Sequence, residues 1–125
     1  MKEFRVTLTH RAGELARVTA LLAEHRINLK SVAGVSEANK AILCLVADDP
    51  AACRTALQGA RVQFKEAEVL SELLENEPGQ IADLAQRLSE AGVDIQSMYI
   101  LARAEPLIEM GFTVSDPKRA KKVLG

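Results

Sequence analysis

The sequence has few aromatic residues and no tryptophan. Its 125 residues include three Phe and one Tyr. Proteins that bind single-stranded RNA or DNA stack the bases on aromatic side chains, so this composition argues against that class of protein. The hydrophobic core must therefore be built from Leu, Ile, Val and Ala.

The sequence also lacks a long apolar run and an excess of charge of either sign. No apolar stretch approaches the roughly 18 residues that a membrane-spanning helix requires. Charged and apolar residues alternate over residues 1–9, which predicts that no signal peptide begins the chain. The 16 basic and 17 acidic residues give a net charge of -1, which argues against a general binder of nucleic acid or of membrane surfaces. We expect a cytoplasmic protein with no nucleic-acid or membrane partner.

Spacings typical of metal sites and of catalytic nucleophiles are missing. Cys44 and Cys53 lie in apolar periodic segments, without a Cys-X-X-Cys partner, so we expect buried and reduced thiols. His10 and His25 have no Ser or Cys partner in a nucleophile motif. We expect His10 to be solvated or to cap a strand end, and His25 to be partly buried on a helix. The sequence predicts no metal, no cofactor and no enzymatic activity.

The most informative feature of the sequence is an internal repeat. Residues 13–32 align with residues 79–98, and five of the 20 aligned positions are identical. Further along the chain, Asp49-Pro50 aligns with Asp116-Pro117 after a shift of one residue, which a turn of different length would produce. The two halves of the chain are therefore expected to carry the same structural unit.

Hydrophobic periods in the first half predict the element order βαββαβ. Alternating residues indicate strands, helical spacing indicates helices, and Asp-Pro marks a helix start. The predicted elements are a strand over residues 4–8, a helix over 15–25, strands over 29–36 and 41–47, a helix over 50–58 and a short closing strand over 61–65. The strand over 41–47 is apolar on both faces, as a central strand would be.

The second half repeats this order without the closing strand. Its predicted elements are strands over residues 69–74, 95–101 and 107–114, with helices over 81–91 and from 117 onward. The fold class is therefore α+β, with two ferredoxin-like βαββαβ modules at residues 1–66 and 67–125, antiparallel sheets and helices on one face. We expect the open edge of the second sheet to be covered, either by residues 62–68 running on or by another chain.

A short motif follows the first strand in each half. The two copies are His10-Arg11-Ala12-Gly13-Glu14-Leu15 and Asn76-Glu77-Pro78-Gly79-Gln80-Ile81, answered downstream by Ile27-Asn28-Leu29 and Val93-Asp94-Ile95. These residues resemble the ACT domain, a small βαββαβ regulatory module that binds amino acids. The resemblance covers nearly the whole chain as two tandem copies. It is strongest to free-standing tandem ACT proteins that have no enzyme domain.

The resemblance implies two related pockets for an amino-acid effector. In the family, modules join at their second strands, and the effector lies between the strand-to-helix loop of one module and the second strand of the other. Here one pocket would join residues 10–15 to 94–97, and the other would join 76–81 to 28–31. The ligand-binding residues so implied are His10, Arg11, Ala12, Gly13, Glu14, Leu15, Asn28, Leu29, Asn76, Glu77, Pro78, Gly79, Gln80, Ile81, Asp94 and Ile95.

The chemistry of these positions suits an amino acid but has a simpler explanation too. A glycine lets the backbone approach a ligand closely, and the helix that follows offers free N–H groups to a carboxylate. The same glycines could merely form a tight turn, and Asn28 and Asp94 could merely close the turn between helix and strand. The family pattern has Pro before the loop glycine and Asn two residues earlier. The second loop keeps both, whereas His10 and Ala12 replace them in the first, which is either specialised or degenerate.

The resemblance implies a non-enzymatic regulatory protein that binds an amino acid and acts through a partner, for example an amino-acid biosynthetic enzyme, as a homodimer. One alternative is a protein–protein interaction module that needs no ligand. A second is an acylphosphatase-like hydrolase, which shares the βαββαβ order and would use Arg11 and Asn28. The basic residues near the C-terminus, Lys118, Arg119, Lys121 and Lys122, are expected to form a solvated helix end that complements the helix dipole.

Overall fold

The computed structural model describes residues 1–125. The strands are β1 (Lys2–Thr9), β2 (Leu29–Glu37), β3 (Lys40–Ala47), β4 (Phe64–Glu68), β5 (Leu70–Glu75), β6 (Ile95–Ala104) and β7 (Leu107–Val114). The helices are α1 (Glu14–Glu24), α2 (Pro50–Gly59), α3 (Gln80–Glu90) and α4 (Pro117–Leu124). These elements form two compact units, Met1–Ala67 and Glu68–Gly125. None of the helices has the length and apolar character required to cross a membrane.

The first unit contains one four-stranded sheet with the order β2-β3-β1-β4. β3 pairs antiparallel with both β1 and β2, so the strand that is apolar on both faces lies inside the sheet, as predicted. The chain order βαββαβ with this strand order is the ferredoxin-like arrangement, which confirms the predicted fold class.

The core of the first unit lies between one face of this sheet and both helices. Alternate residues of β1 point into it, because successive side chains of a strand lie on opposite faces. Both helices contribute to the same cluster, so both pack on one face of the sheet. The buried members include Phe4, Val6 and Leu8 from β1, Val18 and Leu22 from α1, and Cys53 and Leu57 from α2.

The second unit contains a three-stranded sheet with the order β5-β7-β6, in which both strand pairs are antiparallel. Its core combines Phe112 of β7 with Leu84 and Leu88 of α3 and Ala120 of α4. The prediction that this unit lacks a closing strand is confirmed. The suggestion that residues 62–68 cover its open edge is wrong, because β4 lies beside β1 in the first sheet. The other option, a second chain, stays a prediction.

The helices that follow the last long strand of each unit begin in the same way. The carboxylates of Asp49 and Asp116 accept hydrogen bonds from the N–H groups of Ala52 and Arg119, each at 3.1 Å. Each Asp is followed by Pro at the first helical position, where a missing N–H costs nothing. The Asp-Pro pair therefore predicted both helix starts correctly.

The end of α2 differs from the prediction. Gly59 is the last helical residue rather than the residue after the helix, and β4 begins at Phe64 rather than at residue 61. Arg61 takes a left-handed conformation with φ 57°, and the N–H of Val62 donates to the carbonyl of Leu57 at 2.9 Å. Residues 60–62 thus wrap the helix terminus, and the strand is displaced along the chain.

The two cysteines differ in burial. Cys53 is fully buried on α2, whereas Cys44 on β3 is half-buried, so the expectation of two buried thiols holds only for Cys53. Neither cysteine is in a disulfide. Burial raises the pKa of the Cys53 thiol to about 11, which keeps it protonated at physiological pH.

The thiol of Cys53 is expected to be unreactive in the folded protein. At pH 8, Ellman's reagent should modify at most one thiol per native chain and two thiols after unfolding in guanidinium chloride, because only thiolates react and the Cys53 thiol is both protonated and enclosed. In the Cys44→Ser variant, the native protein should show no rapid reaction. Two fast-reacting thiols in the native wild-type protein would contradict the structure.

Candidate functional site

Each strand-to-helix loop turns into its helix through a glycine with the same backbone conformation. Gly13 has φ 93° and ψ -16°, and Gly79 has φ 92° and ψ -15°. A φ near 90° is strained for residues with a side chain, so the turn itself favours glycine. A Cβ atom at either position would meet no atom within 4 Å, so the requirement is conformational rather than steric.

Both loops are anchored to the hairpin turn of their own unit. The N–H of His10 donates to the carbonyl of Asn39 at 2.6 Å, and the N–H of Asn76 donates to the carbonyl of Pro106 at 2.9 Å. The internal repeat therefore extends from sequence to hydrogen bonding. Each loop is held at the end of its sheet, next to the turn between the second and third strands of its unit.

Asn28 and Asp94 close the turns between helix and strand. Their carbonyls accept hydrogen bonds from the N–H groups of Asp48 and Ser115, at 3.0 and 2.9 Å. The side-chain amide of Asn28 also donates to Asp48 Oδ2 at 2.5 Å, and the Asp94 N–H donates to Ser115 Oγ at 3.0 Å. The turn-closing role left open by the sequence is thus present at both positions.

The first loop lines a cavity of about 390 Å³. All six residues of the loop reach it, from His10 to Leu15. The remaining walls come from the ends of three strands: Leu8 and Thr9 of β1, Gly34, Val35 and Ser36 of β2, and Ala41 and Leu43 of β3. Helix α1 begins at this cavity, and the first N–H groups of a helix have no partner within the helix.

Large apolar side chains stand exposed at the rim of this cavity. Leu15 is 51% exposed and Val35 is 63% exposed. Leu15 is the first apolar residue in the helical spacing of α1, and apolar periodicity alone would predict that it faces the core. The first turn of the helix extends beyond the core, however, and the equivalent Ile81 of α3 is exposed in the same way. These side chains give the cavity an apolar wall that faces solvent.

Charged side chains surround the start of α1. The Glu14 carboxylate accepts hydrogen bonds from Nη2 of Arg17 at 3.2 Å and from Nη2 of Arg11 at 3.3 Å. Arg17, and after it Arg11, hold the pKa of Glu14 below its usual range, so this carboxylate is ionised at neutral pH. Two guanidinium groups and one carboxylate leave the first loop with a net positive charge.

The second loop has the opposite charge at the aligned positions. Glu77 replaces Arg11, Gln80 replaces Glu14 and Asp83 replaces Arg17. Asn76 Nδ2 makes a long hydrogen bond of 3.5 Å to Glu105 Oε1. Asp94 and Ile95 line a separate cleft of about 380 Å³ at the end of α3, which residues of the second loop do not reach.

The sequence identified one side of the first cavity and missed the other. It singled out the loop, but not Gly34, Val35 or Ser36 of β2, which the fold brings against that loop. A glycine inside a strand often marks a close approach, so Gly34 was an available signal. The two implied pairings, of residues 10–15 with 94–97 and of 76–81 with 28–31, stay predictions.

The residues considered for other chemistry have structural partners. His10 is exposed, and His25 is exposed rather than partly buried as predicted, because α1 ends at Glu24 and His25 lies beyond its last turn. Arg11 and Asn28, the pair considered for a hydrolase, bond to Glu14 and to Asp48 respectively. Within the basic cluster, Lys121 Nζ donates to Glu68 Oε1 at 2.6 Å.

A family profile described as an ACT domain pair matches residues 1–124. The chain belongs to this family. The two loops with left-handed glycines, one in each unit of the ACT domain pair, are the positions at which the sequence resembled the ACT domain. No curated protein matches the sequence.

Solved structures with the same fold cover nearly all of this ACT domain pair. Protein BT0572 from Bacteroides thetaiotaomicron superposes with a TM-score of 0.86 at 28% identity, over 98% of this chain and 85% of that one. The regulatory subunit of aspartate kinase from Thermus thermophilus, in its ligand-free form, gives a TM-score of 0.67 at 14% identity over 98% and 89%. E. coli aspartokinase III, in complex with aspartate and ADP, gives 0.59 at 17% identity, over 98% of this chain and 30% of that one.

Proposed function

We propose that this ACT domain pair is a non-enzymatic regulatory protein that binds an amino acid at the first loop. The observation that carries the proposal is the cavity at the start of α1, which combines the whole loop, including the Arg11 guanidinium, with an apolar wall. The guanidinium of Arg17 lies next to it, bonded to the same Glu14 carboxylate as Arg11. Its partner is proposed to be an enzyme of amino-acid metabolism, since structures of similar fold include a regulatory subunit of aspartate kinase. The protein is proposed to act as a homodimer. It is also proposed to be cytoplasmic, because free thiols favour a reducing compartment.

The cavity matches the three parts of an amino acid. The carboxylate would meet the N–H groups at the start of α1 and the guanidinium groups of Arg11 and Arg17, which carry complementary charge. The ammonium would find acceptors in Glu14 or in Asp94 of the pairing that the family resemblance implies. Leu15, Val35 and Leu43 would contact an aliphatic side chain, so we propose an effector with an apolar side chain.

The second loop is proposed not to bind the effector in the same way. Although Asn76 and Pro78 match the family pattern better than the first loop does, Glu77 and Asp83 stand where the first loop has Arg11 and Arg17. Two carboxylates near the helix start would repel the carboxylate of an amino acid. The two loops of one chain are therefore unequal, and one effector per chain is expected.

Thermal unfolding in the presence of each of the twenty amino acids tests the proposal. A ligand at 100 times its dissociation constant stabilises the folded state by about 2.7 kcal/mol. For a chain of this size, that should raise Tm by roughly 3–8 °C. We expect this shift with aliphatic amino acids and no shift with acidic or basic ones. A flat panel would contradict the amino-acid site.

A pair of aligned substitutions decides which loop binds. Ala12→Trp should fill the first cavity and abolish the Tm shift without unfolding the protein, because Ala12 is exposed. Pro78→Trp makes the aligned change in the second loop and should leave the shift in place. If Pro78→Trp abolishes the Tm shift and Ala12→Trp does not, the effector binds at the second loop instead. Loss of the shift in both variants would indicate that both loops are needed.

A ligand-independent interaction module is the second candidate function. The edge strand β2 exposes Val32 and Val35, and apolar side chains on a sheet edge favour contact with another protein. If this second function is correct, none of the twenty amino acids should raise Tm. A partner captured from lysate by the wild-type protein would then be lost with Val35→Lys and retained with Ala12→Trp.

A further inference from the structure

The outer edge of β5 differs from its counterpart in the first unit. In the first sheet, β1 has β3 on one side and β4 on the other, whereas in the second sheet β5 has only β7 as a neighbour. The backbone groups on the outer side of β5 therefore have no strand partner. An unpaired edge of this kind is a template for the addition of another strand.

A cleft of about 370 Å³ runs beside this edge. It is lined by Leu70, Ser71 and Glu72 of β5 and by Lys121, Leu124 and Gly125 at the end of α4. Helix α4 corresponds in the repeat to α2, after which the first unit adds β4. The cleft therefore lies where a fourth strand of the second unit would be found.

The middle of β5 presents an apolar side chain to solvent. Leu73 is 66% exposed, the largest fraction among the exposed large hydrophobic residues. It shares a face of the sheet with Ser71 and Glu75, whereas Leu74 packs against the core on the other face. An added strand would cover Leu73 if it placed an apolar side chain directly opposite.

We propose that a second copy of this chain occupies the edge, with β5 of one copy antiparallel to β5 of the other. The two three-stranded sheets then form one continuous six-stranded sheet around a two-fold axis perpendicular to it, the commonest symmetry of homodimers. Residues directly opposite each other in an antiparallel pair have side chains on the same face of the sheet, whereas neighbours along one strand have side chains on opposite faces. The two-fold axis must therefore pass midway between two copies of the same residue, one from each chain.

The side chains of β5 select the register. With the axis at Leu73, the two Leu73 side chains face each other, Ser71 faces Glu75, and Glu72 faces Leu74. No like charges are directly opposite, and the exposed leucines bury each other. An axis at Glu72 would place two carboxylates face to face. An axis at Leu74 would pair only Leu73, Leu74 and Glu75 and would leave the other half of the strand unpaired.

This interface rests on the proposed homodimer but not on the amino-acid site. It is separate from the second-strand edges, β2 and β6, through which ACT modules are described as pairing. A single strand pair with the adjoining helix ends lies at the small end of stable interfaces, so we expect dimerisation to depend on protein concentration in the micromolar range or above.

Sedimentation velocity over a concentration series tests the interface. The wild-type mass should rise from 13.6 kDa towards twice that value as the concentration increases. Leu73→Lys places two ammonium groups opposite each other and should raise the dimer dissociation constant at least tenfold, with Tm extrapolated to low concentration unchanged. Val32→Lys, an exposed site on β2 that does not line the first cavity, should leave the dimer intact.

A cross-link tests the register. Leu73→Cys should give a disulfide-linked dimer under mild oxidation, while Ile100→Cys, an exposed site on β6, and the wild-type protein should stay uncross-linked. A monomer at every concentration would overturn both the homodimer and this interface. A dimer that Val32→Lys dissociates and Leu73→Lys does not would keep the homodimer and overturn the β5 edge.

Discussion

Gly111→Ala is expected to destabilise the second unit by about 1–3 kcal/mol, the usual cost of overpacking a core. Gly111 lies on β7, and a Cβ atom there would come within 2.7 Å of Leu101 Cγ and 2.8 Å of Leu101 Cδ1. Leu101 is buried on β6, at the irregularity in the pairing of β6 with β7, so it has little room to move. Chemical denaturation followed by circular dichroism would measure the loss.

Three further variants show whether the loss comes from this contact. Leu101→Ala alone should destabilise the protein by removing a buried side chain. In the double variant, Gly111→Ala with Leu101→Ala, the methyl group added at residue 111 occupies space that the Leu101 side chain has left. The double variant should therefore be more stable than the sum of the single effects predicts. Gly59→Ala, where a Cβ meets no atom within 4 Å in a helix, should be neutral or stabilising. If the effects of Gly111→Ala and Leu101→Ala on the free energy of unfolding were strictly additive, the proposed contact between residues 111 and 101 would be contradicted.

Giving the first loop the charges of the second is expected to weaken effector binding about 100-fold, since a hydrogen bond to a charged group contributes about 1.5–3 kcal/mol. The variant combines Arg11→Glu with Arg17→Asp and copies the residues found at the aligned positions of the second loop. The carboxylate of the amino acid would then face repulsion at the helix start. Calorimetric titration with the amino acid that raises Tm most would measure the change.

A control with the same change in net charge separates local from general electrostatics. Lys118→Glu with Lys122→Glu changes two exposed charges on α4 and leaves the first cavity untouched. We expect its affinity to match the wild type within a factor of about two at physiological salt, because neither lysine lines the first cavity and salt screens exposed charges. If the loop variant keeps wild-type affinity, then the guanidinium groups do not bind the carboxylate and the proposed orientation is wrong.

Local signals in the sequence predicted most of the fold. Asp49-Pro50 and Asp116-Pro117 start their helices because the cap and the proline act within a few residues. The end of α2 was harder to predict, because the residue with a left-handed conformation is Arg61 and not a glycine, which would have indicated the end of the helix. Apolar periodicity alone also suggested burial for Leu15 and His25, although the ends of a helix extend past the core it packs on.

The site could be predicted only on one side. The loop motif is contiguous, so the sequence shows it directly, whereas Gly34 and Val35 reach the cavity through the pairing of β2 with β3. The sequence shows the charges of the two loops directly, but their effect on a ligand depends on which charged side chains lie in contact. Only the structure shows that Arg11 and Arg17 converge on one carboxylate.

The opposite charges of the two loops also bear on how a duplicated protein diversifies. Two identical chains in a homodimer must carry identical loops, so a substitution that helps one site changes the other as well. Two copies fused in one chain are free of that constraint: Arg11 and Arg17 could be retained while Glu77 and Asp83 arose at the matching positions. Fusion thus lets one copy change without altering the other. Under the proposed function, the second loop need not bind the effector and can evolve a different contact.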